Sequence, residues 1–170
     1  GAFARYACVR PDQLYPLSDD LPSEEGALLE PLAAAVAAVA ENTGVRPGDR
    51  ALITGPGPIG LLCLMVLARQ GIPTLVVGAP SDAARLDLAR ELGAAETVSG
   101  DPEAVAEQVR AFTGGKGMDV AFEVSGAAAA AETCLSALRP LGRYTQVGHF
   151  GRRIEVPLDH VGFKQLRLQG

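Results

Sequence analysis

Apolar positions along this chain come in short runs separated by glycine, proline and acidic residues, and the runs alternate between two spacings. Brief unbroken or period-two runs are strands, whereas apolar residues recurring every three to four positions are helices. Residues 50–54 therefore predict a buried strand, and the apolar run 61–68 is too long for another, so it predicts a helix. Arg69 falls in its last turn and Gly71 just beyond its end. Residues 74–77 follow as a strand. Asp82 then caps a helix in which Leu86, Ala89 and Leu92 share a face, and Gly93 ends it. Residues 97–98 make a short strand. Asp101-Pro102-Glu103 opens a helix with Val105, Val109 and Phe112 at i, i+4 and i+7, and Gly114-Gly115 stops it. Residues 118–124 alternate as a strand and 127–138 are helical. Pro140 and Gly142 interrupt the chain before a strand at 143–147, and a last strand falls near 166–168.

The first fifth of the chain is less regular. Residues 1–9 predict a strand, and 11–22 a connection rich in proline and aspartate. Ser23 is placed to cap a helix whose first turn carries Glu24 and Glu25, facing the positive end of the helix dipole. Pro31 breaks or restarts that helix, and the alanine-rich segment 32–41 continues with Val36 and Val39 at helical spacing. Pro47-Gly48-Asp49 is a turn into the first strand of the alternating region.

Strands that alternate with helices through short connections imply right-handed crossovers and a parallel sheet covered on both faces. The predicted fold is thus α/β, a doubly wound parallel sheet of Rossmann type. Ligands bind such sheets beyond the carboxyl ends of the strands, where the strand order reverses. Three loops should converge there: 55–60, 124–126 and 148–150.

Composition narrows the partners. With 15 Lys and Arg against 20 Asp and Glu, the net charge is −5, and no stretch concentrates basic residues. A phosphate-backbone partner is disfavoured, so no nucleic acid is expected. The longest apolar run, 59–68, is too short to span a bilayer, and no charged-then-apolar leader opens the sequence, which predicts a cytosolic (cytoplasmic) protein without a membrane partner. Cys8, Cys63 and Cys134 are odd in number and widely spaced; they read as reduced thiols, with Cys63 and Cys134 in the core.

The chemistry concentrates at Gly55-Pro56-Gly57-Pro58-Ile59-Gly60. This G-x-G-x-x-G spacing lets the backbone turn sharply, approach a pyrophosphate and pack a helix tightly on the strand it left. A glycine- and proline-rich cluster is more often a plain turn, but here a strand precedes it and a helix follows, with Pro58 at a first-turn position whose N–H has no helical partner. A dinucleotide fold also carries an Asp or Glu after its second strand for the free ribose 2′-hydroxyl. That slot is Gly78-Ala79-Pro80, which holds no acid. NADP is then favoured over NAD, with Ser81 and Arg85 in reach of a 2′-phosphate, while Asp82 keeps NAD open.

Several motifs together carry a family resemblance. Glu30-Pro31-Leu32, Val45-x-Pro47-Gly48-Asp49, the 55–60 turn, Leu92-Gly93-Ala94, Phe122-Glu123-Val124-Ser125-Gly126 and Val147-Gly148 resemble the zinc-dependent medium-chain alcohol and polyol dehydrogenases, within them the sorbitol, threonine and glucose dehydrogenase group. The resemblance covers nearly the whole chain. It implies that residues 1–22 are the tail of a GroES-like catalytic domain and 23–170 the Rossmann cofactor domain. It further implies that Gly55, Gly57, Pro58, Ile59 and Gly60 hold the pyrophosphate, that Val124, Ser125 and Gly126 pass the ribose, and that Val147 and Gly148 place the nicotinamide. Glu30 matches the family's glutamate at or beside the catalytic zinc, whose Cys and His ligands are expected upstream of residue 1. His149 faces the nicotinamide loop, either as a contact or as an ordinary loop histidine.

The expected function is hydride transfer between an alcohol or polyol and NAD(P) in a parent enzyme, with this fragment inactive alone and no zinc bound to it. A homodimer through the last strand, near 166–168, is implied by the same resemblance. Two rivals use the same glycine loop: a dinucleotide-sensing regulatory module without catalysis, and a methyltransferase, which calls for an acid after the second strand. No Tyr-x-x-x-Lys pair exists among Tyr6, Tyr15 and Tyr144, which disfavours short-chain dehydrogenases.

Overall fold

A computed structural model describes residues 4–170. Two compact units divide the chain, Gly1–Glu30 and Pro31–Gly170.

In the first unit the expected strand does not form over its described part, residues 4–9. Its first three residues lie outside the described ones, and 4–9 are exposed and unpaired; an extended segment becomes a strand only when a neighbour takes up its backbone donors and acceptors. A short helix, α1, spans Ser23–Gly26. Its cap is Pro22, with Ser23 one position inside and making no side-chain cap bond, so the capping role expected of Ser23 is not realised. A second helix, α2, spans Leu29–Val36, most of it in the second unit, and carries Pro31 in its first turn, where the missing N–H costs no helical bond.

The second unit is built on a six-stranded sheet. Strands β1 (Ala51–Thr54), β2 (Thr74–Gly78), β3 (Glu96–Ser99), β4 (Met118–Glu123), β5 (Leu138–Gln146) and β6 (Arg167–Gln169) lie in the order 3-2-1-4-5-6, every pair parallel. Helices α3 (Pro58–Arg69), α4 (Ala83–Glu91), α5 (Pro102–Thr113), α6 (Ala128–Ala137) and α7 (Leu158–Lys164) make the crossovers. Side chains alternate across the sheet, so β1 feeds two cores. Ala51 and Ile53 join Val76, Val120 and Phe122 beneath α3 and α4. Leu52 joins Leu75 and Ala121 on the other face, beneath α5 and α6. This is the doubly wound α/β fold that the alternating pattern predicts, with the reversal of strand order between β1 and β4.

The glycine stops and one of the expected caps follow the sequence. Asp101 caps α5 by accepting the Ala104 N–H at 2.9 Å, and Gly114 ends it at φ +61°. After α2 the chain widens into a π-helical segment, Ala37–Asn42, closed by the Thr43 N–H donating five residues back to Ala38 at 3.1 Å. It buries Ala38 and Val39, while Val36 stays exposed.

Two elements differ from expectation. β5 starts at Leu138 rather than 143, because the chain stays in the sheet through an irregularity: Met118 pairs with Leu138, but Val120 pairs with Arg143. Four residues thus face the single Asp119, and Pro140, which has no N–H to donate, sits where the ladder is already broken. Arg139 Nε donates to Asp119 Oδ1 at 2.6 Å across the gap. The second difference is α7, which the sequence pattern did not signal. Its seven residues include Gly162 and follow Pro157, and much of its anchorage is one cation: Lys164 Nζ donates to the carbonyls of Leu135, Ser136 and Leu138 at 3.3, 2.7 and 2.8 Å, closing the carboxyl end of α6.

Candidate functional site at the carboxyl edge of the sheet

The turn after β1 is shaped by the lack of side chains. Gly55 takes φ +101°, and a Cβ there would stand 2.8 Å from Ser125 Cβ; a Cβ on Gly60 would stand 2.0 Å from the Gly55 carbonyl oxygen. Gly57 differs: it caps α3 at φ −74°, and a Cβ there would meet nothing within 4 Å. Gly55 and Gly60 therefore serve internal packing, whereas Gly57 leaves open space at the amino end of a twelve-residue helix. Pro58 is its first residue. The N–H groups of Ile59 and Gly60, in the first turn, have no helical acceptor and carry the positive end of the dipole.

The other two loops close on this turn. Val124 donates to Thr54 O at 3.0 Å, and Val147 and Gly148 both donate to Glu123 O, at 2.8 and 2.9 Å. A Cβ on Gly126 would lie 2.5 Å from His149 O, and one on Gly148 2.5 Å from Gly126 N. Loops 55–60, 124–126 and 148–150 thus meet at the switch point. Ser125 and His149 are exposed there, and Val124, Gly126, Val147 and Gly148 half-buried.

Beneath the loops lies a buried polar network that the sequence reading did not single out. Glu123 is 0% exposed. Its Oε1 accepts the Ser125 N–H at 2.8 Å, the Ser125 hydroxyl at 2.5 Å and the Gly126 N–H at 2.9 Å, and its Oε2 accepts from Gln146 Nε2 at 2.7 Å. The Tyr144 hydroxyl donates to Gln146 Oε1. Burial raises the Tyr144 pKa above the usual phenol range, helped by Cys134 and Glu123. Cys134, 3.4 Å from the Thr54 hydroxyl, is pushed up to about 12, mainly by burial. Cys63, on α3, is likewise buried and pushed up to about 12. Both are inert core thiols.

At the far side of the crevice, Gly78 has no room for a side chain: a Cβ would stand 3.1 Å from Pro56 and Leu86 and 3.2 Å from Asp82. Asp82 flanks α4 but does not cap it. The 3-10 turn at Pro80–Asp82 swings its carboxylate back to accept the Ala79 N–H at 3.0 Å, and its other oxygen pairs with Arg85 at 3.1 Å. Arg85 remains largely exposed, as does Ser81.

Glu30 is exposed in the first turn of α2. Among the described residues no three His, Cys, Asp or Glu side chains gather as metal ligands. One carboxylate does not make a zinc site, which takes three or four protein ligands. An apolar groove of about 480 Å³ between α5 and α6, lined by Val105, Val109 and Leu138, shares no residue with the three loops.

A parallel 3-2-1-4-5-6 sheet with a glycine turn at its switch point defines the Rossmann class. Residues 58–170 match the family described as zinc-binding dehydrogenase. The chain belongs to that family. It is 34% identical over its full length to a sorbitol dehydrogenase of Halalkalibacterium halodurans, covering 50% of that protein. It is 36% identical to an L-threonine 3-dehydrogenase of Pyrococcus horikoshii, again over its full length and 48% of the relative. The crystal structure of 2R,3R-butanediol dehydrogenase from Bacillus subtilis superposes with a TM-score of 0.80 at 30% identity, over 92% of this chain and 44% of that one. The chain spans about half the length of the relatives it matches.

Proposed function

We propose that this chain is the dinucleotide-binding part of a zinc-dependent alcohol or polyol dehydrogenase, with residues 23–170 as the cofactor domain and 1–22 the tail of a catalytic domain. The observation that carries this reading is the open space at Gly57, at the amino end of α3, where the loops after β4 and β5 close in. A pyrophosphate needs close backbone approach and N–H donors, and this turn offers both. Ile59 and Gly60 would donate to it, Gly55 and Pro58 fix the turn, Val124, Ser125 and Gly126 line the ribose path, and Val147 and Gly148 border the nicotinamide. When bound, the nicotinamide supplies the hydride acceptor or donor.

The protein's own part is to bind and orient. Backbone donors at the helix end neutralise the diphosphate, and the loops over β4 and β5 hold the reactive ring in one place. NADP is the favoured dinucleotide, because the slot after β2 has no acid and Arg85 is exposed beside it; a 2′-phosphate, more highly charged than the Asp82 carboxylate, would give Arg85 a stronger partner than its single contact to Asp82. The substrate class, alcohols or polyols, follows the names of the relatives. Among the described residues no zinc site forms, and on this reading the 170 residues alone bind without turning over, with Glu30 as a contributor only alongside ligands from elsewhere. The exposed edge strand β6 is the surface for a homodimer, which light scattering tests: a monomer rejects it. The protein works in the cytosol.

Thermal-shift and fluorescence titration of the chain with NADPH and NADH test the reading. Saturable binding of either supports it, and binding of neither removes it.

A further inference from the structure

Glu123 touches both loops that frame the reactive end of the crevice. Its Oε1 holds the 124–126 turn through Ser125 and Gly126. Its Oε2 reaches the other loop through Gln146, whose Nε2 donates to that oxygen at 2.7 Å and to the Gly148 carbonyl at 2.6 Å. Both amide hydrogens of Gln146 are thus used, and its oxygen accepts from Tyr144. Turning the amide round would set its oxygen against a carboxylate and a carbonyl, so the orientation is dictated by its partners. Gly148 itself sits directly on the carboxylate, where a Cβ would lie 2.8 Å from Oε2.

We propose that Glu123 is a positioning residue for the nicotinamide end of the site: acting through Gln146, it locks Gly148 to the 124–126 turn and so sets the gap into which the ring fits. This rests on the dinucleotide reading above. A buried carboxylate that merely terminated β4 would need only the Ser125 and Gly126 donors. The Gln146 link is what couples it to a second strand. Replacement by the isosteric amide keeps one oxygen for the turn but brings an NH2 against the Gln146 NH2. If Gln146 then reverses, its oxygen opposes the Gly148 carbonyl. With the new amide's nitrogen toward Gln146 one of these two contacts becomes repulsive, and with its nitrogen toward the turn it meets the Ser125 and Gly126 N–H groups instead, so the bridge between the two loops is lost at one end in either orientation.

The test compares wild type with Glu123→Gln and Gln146→Met in the full chain, using NADPH, NADH and ADP as probes. ADP carries the adenosine and a diphosphate but no nicotinamide. Both variants should lose about tenfold in affinity for the preferred dinucleotide and less than about twofold for ADP. Equal losses for ADP and dinucleotide, or none for either, overturn the proposal. If Glu123→Gln does not fold, Gln146→Met, which leaves the turn contacts intact, decides. Amide hydrogen exchange without ligand gives a second readout: both variants should speed exchange at 147–150, and Glu123→Gln should also speed it at 124–126. Unchanged exchange at 147–150 in both contradicts the coupling even if wild type binds no nucleotide, an outcome that would itself count against the dinucleotide reading and not against the link.

Discussion

A methyl group on Gly60 would stand 2.0 Å from the carbonyl oxygen of Gly55, so the first helix of the sheet packs on its own strand with no space for a side chain. Gly60→Ala must push α3 off β1 and open the core around Ile53, Cys63 and Leu67. A loss of about 2–4 kcal/mol is expected from the overpacking and its relaxation, read by urea denaturation.

The Asp49–Arg143 pair should be equally sensitive for an electrostatic reason. Both side chains are nearly buried, at 10% and 12% exposure, and their oxygen and nitrogen lie 2.5 Å apart. Arg143 also donates to the carbonyl of Gly44 at 2.7 Å, and Asp49 accepts the Arg46 N–H at 2.7 Å. Arg143→Met leaves the carboxylate unpaired and should cost about 3–5 kcal/mol, whereas replacing both partners with apolar residues should cost less. Denaturation of the single and double variants distinguishes the two.

Alkaline pH should weaken the fold through its thiols. Cys63 and Cys134 ionise at about 12 when folded and near their ordinary value of 9.0 when unfolded. Between those values the unfolded chain binds fewer protons than the native one, so stability falls as pH rises. The slope approaches about 1.4 kcal/mol per pH unit for each thiol. A melting-temperature series through this range should show the fall, and Cys63→Ala with Cys134→Ala should remove the thiols' share of it and leave the share of Tyr144, whose pKa burial also raises.

Arg85 should separate the two dinucleotides. Arg85→Ala is expected to weaken NADPH by about tenfold and leave NADH within about twofold, since its exposed pair with Asp82 contributes little stability to lose. Equal losses for both nucleotides would assign Arg85 to general charge.

Much of this architecture is written locally. The runs at Ala51–Thr54 and Met118–Glu123, the cap at Asp101 and the stops at Gly71, Gly93 and Gly114 each follow from residues that leave few conformational choices. The glycine turn was legible for the same reason, although spacing alone did not distinguish Gly57, which faces open space, from Gly55 and Gly60, which face protein. What escaped was non-local. α7 is held in part by Lys164 reaching the carbonyls of Leu135 and Ser136 in α6 and of Leu138 at the start of β5, and β5 continues past Pro140 because Arg139 and Asp119 meet across the broken ladder. Glu123 drew attention only as one letter of a motif. Its role emerges when Gln146, twenty-three positions away, comes within 2.7 Å. The sequence places Asp82 as a helix cap, yet a 3-10 turn directs it toward Ala79.

The account turns on Gly57, and calorimetric titration of Gly57→Ala beside wild type tests it most directly. Its φ of −74° suits any residue and a Cβ there meets no protein atom, so the variant should melt as wild type does. Because that Cβ would occupy the space assigned to the pyrophosphate, NADPH and NADH affinity should fall by about tenfold or more. Wild-type affinity in a variant of unchanged stability would contradict the assignment of this turn as the pyrophosphate site.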